Sequence, residues 1–221
     1  MHSSSTKPAL LFDLDGTLLN TEELSELAFK EMFELFQRPF SEDFLVSIRG
    51  KKQVEWSIDF VKTFHLNIST DTIIETYENL FHRYLDNDLK LMPGAYEILD
   101  WSFNRQIPSI LVTSSSKSYV KLVSQRLEIQ KYFLANITSE DVKKGKPDPE
   151  PYILGARLVV REPKNTIAFE DSVNGVISAK ASGSMVIAIP SKGISNEKVG
   201  VADHIVKDLF DAKEILEKMG L

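Results

Sequence analysis

Residues 10–24 read LLFDLDGTLLNTEEL. The run Leu10–Phe12, with Ala9 leading in, is apolar and too short for a helix, which predicts a buried strand. Asp13 and Asp15 follow at once, before Gly16 and Thr17. A purely structural turn needs one such residue, and two like charges so close repel. Alternation about Leu14 brings both carboxylates to one end of the strand. From Asn20, read as an N-cap with Glu23 at the third helical position, the periodicity becomes helical.

The helical pattern then persists to residue 89. The first helix is expected to bury Leu24, Leu27, Ala28, Leu35 and Phe36, and Arg38-Pro39 ends it. A loop containing Arg49, Gly50, Lys51 and Lys52 precedes a second run with Val54, Ile58 and Val61. The stretch STDTIIETYENLFHRYL gives a third, with Ile73, Ile74, Tyr77, Leu80, Phe81 and Tyr84. These predict a small helical bundle.

After Pro93-Gly94 strands and helices alternate. Strands are expected at 110–112, 166–169, 186–189 and 204–206, and helices at 119–127, 150–160 and 173–181. Such alternation implies an α/β protein: a Rossmann-like, mostly parallel, doubly wound sheet covered on both faces. The first strand belongs to that sheet. The expected organisation is therefore a core of residues 1–17 and 91–221 with an α-helical cap of residues 18–90 inserted into it. Open α/β sheets place ligands at the C-terminal ends of their strands, where the cap is tethered, so the cap is expected to act as a lid.

Composition narrows the function. The chain has 221 residues, 43% of them hydrophobic and 26% charged, and a net charge of −6. Those are globular values, and the acidic balance argues against a nucleic-acid partner. With no cysteine, thiolate chemistry and cysteine metal sites are excluded. The first residues contain no apolar leader and no segment is long and apolar enough to span a bilayer, so a cytoplasmic protein with no membrane partner is expected. A monomer is expected from the lack of a conspicuous apolar surface stripe.

Three further stretches carry candidate chemistry. FEDSVNG ends a strand with Glu170 and Asp171, which could cap the following helix or join Asp13 and Asp15 in one acidic cluster. Four clustered carboxylates need a cation, and Mg²⁺, which takes oxygen ligands, is the expected cofactor. ILVTSSS ends another strand with Thr113, and Ser114, Ser115 and Ser116 open a helix. They could serve as caps or as an anion site. In KKGKPDPEPY, Lys146 alone of three lysines is pinned by an adjacent proline, although a solvated role is also open to it.

Taken in order, DLDGT, the Thr113 strand end, GKPDP and EDSVNG resemble the four motifs of the haloacid dehalogenase superfamily of phosphohydrolases. The resemblance covers essentially the whole chain. It points to the subgroup whose helical cap follows the first motif, and within it to the sugar-phosphate phosphatases and β-phosphoglucomutase. That resemblance implies a Mg²⁺-dependent phosphatase acting on a small phosphate ester. Asp13 would be the nucleophile, Asp15 the general acid and base, and Thr113 and Lys146 would support the transferring phosphoryl. The metal shell would be Asp13, Glu170 and Asp171 with the backbone carbonyl of Asp15. Gly16, Thr17, Ser114, Ser115 and Asn174 are the expected phosphate-binding positions, with Arg49 and Lys51 from the cap, Arg49 favoured. No histidine competes for these roles, since His2, His65, His82 and His204 all lie outside the motifs.

A phosphosugar mutase would use the same core. The position where β-phosphoglucomutases carry a cap histidine holds Ser25 here, which favours hydrolysis. Asp15 and the acidic pair at 170 and 171 argue against the dehalogenase branch. A receiver domain would be near half this length and capless, and a non-catalytic binding protein would have no use for a full set of catalytic positions.

Overall fold

The computed structural model describes residues 7–48, 51 and 53–221. The chain divides into two compact units, Met1–Asn20 with Lys90–Leu221, and Thr21–Leu89. Strand β1 (Ala9–Phe12) opens the first. The second comprises α1 (Thr21–Leu35), α2 (Glu42–Ile48), α3 (Gln53–Thr63) and α4 (Thr70–Asp88).

The helical unit is built around aromatic rings. Phe33 is fully buried and meets Phe40, Phe44, Phe60 and Phe64 edge-on, with centroids 4.9–6.1 Å apart. Such pairs each contribute roughly 0.5–1.5 kcal/mol beyond their area burial. These rings also turn the helices away from the expected faces. In α1 the buried stripe is Leu24, Ala28, Phe29, Met32 and Phe33. Leu35, expected inside, is 58% exposed. It lies two residues beyond Phe33, about 200° round the helix. In α3 the i, i+4 pair Trp56 and Phe60 is buried, while Val54, two residues before Trp56, is exposed. The larger apolar surface takes the interior. Helix α2 carried no separate expectation between the end of the first helical run at Arg38-Pro39 and the loop at 49–52. Ser41 Oγ accepts the Phe44 amide at 3.1 Å, and Phe44 and Ile48 are buried one turn apart. The third run forms α4 as expected, with Ser69 Oγ accepting the Thr72 amide.

The core unit continues with α5 (Ala95–Asn104), β2 (Ser109–Val112), α6 (Lys117–Arg126), β3 (Ala135–Ile137), α7 (Glu150–Leu158), β4 (Thr166–Glu170), α8 (Val173–Ser182), β5 (Met185–Ala188), β6 (His204–Ile205) and α9 (Leu209–Lys218). Of these, α5, β3 and α9 carried no sequence expectation. Strand β3 is a three-residue edge strand in which only Ile137 is buried, too short for a periodic signal.

The six strands form one parallel sheet in the order β3-β2-β1-β4-β5-β6. Every residue of β1, β2 and β4 is buried, as expected for a sheet covered on both faces. Leu11 joins Ile110, Val112, Ala168 and the α7 and α8 side chains Tyr152 and Val176 on one face. The rings of Phe12 and Phe169 stack with centroids 4.5 Å apart. Strand order reverses between β1 and β4, and that is the point at which open sheets of this kind bind ligands.

Phe12, the last residue of β1, pairs with Phe169 and Leu111, each one residue short of its own strand's end, so the three strands finish within one residue of one another. Asp13 N donates to Phe169 O at 3.0 Å, so Asp13 is held beside Glu170 by the ladder itself. Past the turn the chain leaves for the helical unit and returns alongside its departure. Met92 N donates to Leu18 O at 2.8 Å and Asn20 N to Lys90 O at 3.2 Å. Asn20 Oδ1, expected as a helix cap, accepts the Lys90 amide at 2.9 Å. No helix among the described residues is long and apolar enough to cross a membrane.

Candidate active site

Three carboxylates meet at the ends of β1 and β4. Each of Asp13, Glu170 and Asp171 is buried, and each offers an oxygen within 4.8 Å of the others'. Lys146, from the loop before α7, is their cation. Its Nζ donates to Asp13 Oδ1 at 2.7 Å, to Val112 O at 3.0 Å and to Glu170 Oε1. All three ammonium protons are thereby used.

Neighbouring backbone makes room for this cluster. A Cβ on Gly175, in the first turn of α8, would lie 1.9 Å from the Glu170 carboxyl carbon. At Gly16, where φ is +81°, a Cβ would lie 2.3 Å from Asp171 Oδ2. The left-handed backbone at Gly16 favours glycine, whereas at Gly175 a Cβ would displace the Glu170 carboxylate. Asp171 Oδ2 also accepts from Ser191 Oγ.

One lysine does not balance three carboxylates. Asp13 is pushed up to about 7 by burial, then by the Glu170 charge, with Lys146 opposing. Lys146 is raised by Asp13 and Glu170 against the opposite pull of its own burial, which is the largest single influence on it. Asp13 Oδ2 is buried without a hydrogen-bond partner, alongside the equally unpartnered Thr17 Oγ1. An all-oxygen donor set with excess negative charge and an unsatisfied oxygen fits a hard divalent cation such as Mg²⁺.

Asp15 lies outside that cluster and has its own donors. Tyr119 Oη donates to Oδ1 at 2.8 Å and Ser115 Oγ to Oδ2 at 2.7 Å, with Thr113 Oγ1 at 3.5 Å. Thr113 also accepts the Ser115 amide at 3.0 Å, and Ser116 caps α6 by accepting the Tyr119 amide. So the strand end and helix start after β2 converge on the second aspartate. Its carboxylate is a partner of hydroxyls, and any share in a metal shell would fall to its backbone.

A profile of the haloacid dehalogenase-like hydrolases matches residues 10–189. The chain belongs to that family. It is 31% identical over 175 residues to a phosphorylated carbohydrates phosphatase of Thermotoga maritima, covering 79% of this chain and 81% of that one. It is 29% identical to a bifunctional riboflavin kinase/FMN phosphatase of Arabidopsis thaliana, covering 96% of this chain but only 55% of the plant protein's length. Among solved structures, a provisionally assigned β-phosphoglucomutase from Thermotoga maritima superposes with a TM-score of 0.83 at 27% identity, covering 96% and 99% of the two chains.

The remaining expected positions of this haloacid dehalogenase-like hydrolase are less engaged. Ser114 and Asn174 are exposed. Ser115, expected at a phosphate, has its hydroxyl on Asp15. Lys51 is paired with Asp59 at 2.7 Å, both about 40% exposed. Arg49 and Lys52 lie outside the described residues. Sequence reasoning overlooked Tyr152, Tyr119, Ser191 and Gly175. Gly175 had a signal, since a glycine in the first turn of a helix costs helix stability and calls for a reason. The two tyrosines had none, because their hydroxyls reach the site from helices whose register the sequence leaves open.

Proposed function

We propose that this protein is a Mg²⁺-dependent phosphatase that hydrolyses a small phosphorylated metabolite, a sugar phosphate by preference, through an aspartyl-phosphate on Asp13. The observation that carries this reading is Asp13 itself, held by Lys146 through one oxygen while the other is buried and unpartnered among acidic neighbours. Relatives that include a phosphorylated carbohydrates phosphatase support the substrate class.

Asp13, Glu170 and Asp171 would hold the ion. When bound, Mg²⁺ supplies positive charge that favours ionised Asp13 and offsets the charge of the transferring phosphoryl. Asp13 attacks phosphorus, the bond to the ester oxygen breaks, and Asp15 gives its proton to that oxygen. In the second half a water attacks the same phosphorus, Asp15 takes its proton, and the carboxylate of Asp13 leaves. Lys146 keeps Asp13 aimed throughout, and Thr113 with the α6 N-terminus offers donors to the phosphoryl oxygens. Substrate selection is assigned to the helical unit, and the working form to a cytoplasmic monomer.

A mutase reading draws on the β-phosphoglucomutase likeness. Ser25, bonded to the Tyr77 hydroxyl at 2.9 Å, offers no histidine for that chemistry. The test is phosphate release from a panel of sugar phosphates with and without Mg²⁺. Metal-dependent release supports the phosphatase, and isomerisation of a sugar 1-phosphate without release overturns it.

A further inference from the structure

Tyr152 is the one fully buried tyrosine, and the reaction just described gives it no role. It sits in α7, six residues past Lys146, with its ring among Val112, Ile137, Ala168 and Val176 of the sheet core. Its hydroxyl donates to Glu170 Oε1 at 2.6 Å, the same oxygen that Lys146 Nζ occupies. Lys146 Nζ also stands 5.2 Å from the centroid of the Tyr152 ring. The opposite carboxylate oxygen, Glu170 Oε2, accepts from Ser172 Oγ at 3.1 Å.

These contacts form a chain from the core to the nucleophile: Tyr152 to Glu170, Glu170 to Lys146, Lys146 to Asp13. Its first member is an aromatic ring enclosed in the sheet core. A ring enclosed by close-packed side chains does not shift, whereas a lysine has four rotatable bonds to order. We propose that Tyr152 is a positioning residue of the metal and nucleophile centre, its hydroxyl being the fixed point from which Glu170 and, through it, Lys146 are held. A carboxylate that also accepts from an immobile donor keeps its remaining lone pairs aimed at one place, the usual function of partners behind metal ligands. This rests on the Mg²⁺-dependent reading above.

Tyr152→Phe tests it, because the ring and its packing remain. Two quantities are read on the full chain: the Mg²⁺ concentration that half-saturates phosphate release, and the one that half-saturates the Mg²⁺-induced rise in melting temperature, which needs no turnover. Both are expected to increase about 10- to 100-fold, with KM for the phosphate ester unchanged. In a Glu170→Ala background the same substitution should change the thermal half-saturation by less than about twofold, because its acceptor has gone. Unchanged Mg²⁺ half-saturation in Tyr152→Phe overturns the proposal, as does an equal effect in both backgrounds. Should the variant not fold, the unmutated protein still decides: Mg²⁺ titration should give a tyrosine ultraviolet difference spectrum that saturates with the thermal shift, and a flat spectrum contradicts the role. Failure of the phosphatase reading is distinguishable, since the unmutated protein would then release no phosphate and show no Mg²⁺ response.

Discussion

The sheet edge of the core unit and the interior of the helical unit are both densely packed, yet by opposite means. At the ends of β1 and β4 three carboxylates, a lysine and a tyrosine crowd together, each held by named hydrogen bonds and by glycines that leave no room for a Cβ. Around Phe33 the helical unit packs rings against rings. Directional bonds specify positions to a few tenths of an ångström, whereas apolar packing specifies volume and tolerates rearrangement. The chain thus places its fixed chemistry in the unit built from directional bonds.

That contrast can be broken at several points. Phe33→Ala removes the ring at the centre of the helical unit and should cost about 3–5 kcal/mol in denaturant unfolding of that unit. A cost under about 1 kcal/mol would mean that the aromatic cluster is not its mainstay. A second effect should come from the carboxylates. With its carboxyl pushed up to about 7, Asp13 keeps a proton in the folded, metal-free protein at pH values where the unfolded chain, near 3.8, has lost it. This group therefore costs stability progressively as pH rises from about 4 to about 7, and the full cost is present above that range. Asp13→Asn carries no such cost. Compared in chelator, the unmutated protein should lose on the order of a few kcal/mol relative to the variant between about pH 4 and pH 7. Parallel stability curves would show that Asp13 is ionised without a metal.

Gly175→Ala should act on metal affinity, because the new methyl would stand where the Glu170 carboxylate now is. A 10- to 100-fold weaker Mg²⁺ response in calorimetry is expected, with the helix itself made no less stable by the alanine. The smallest effect is reserved for Lys51→Ala. Its partner Asp59 is half in water, so unfolding should change by less than about 1 kcal/mol. A larger loss would give the helical unit a directional contact of the kind that typifies the core.

Legibility in the sequence follows the same division. Asp13, Asp15, Lys146, Glu170 and Asp171 could be picked out because each lies at a strand end or beside a proline, where position along the chain nearly fixes position in space. The parallel sheet was readable from its β-branched runs. The interior of the helical unit was less so: counting leucines at helical spacing placed Leu35 inside, when Phe29 and Phe33 decide the face. Helix α2 carried a readable start, Ser41 three residues before Phe44, yet its single buried turn was too short for periodicity to register. Tyr119 and Tyr152 reach the site across long sequence separations, and only the assembled fold brings their hydroxyls to Asp15 and Glu170.

Hydrolysis by this route requires a covalent bond between Asp13 and phosphorus. Acid quenching within the first turnover, after mixing with a phosphorus-labelled aryl phosphate, whose leaving group needs no general acid, and Mg²⁺, measures it directly, with Asp15→Asn included to slow the second half-reaction. Label is expected on the protein, accumulating further in Asp15→Asn and absent from Asp13→Asn, which should release phosphate at least about 10³-fold more slowly than the unmutated enzyme. Label that persists in Asp13→Asn, or undiminished phosphate release by that variant, would contradict it.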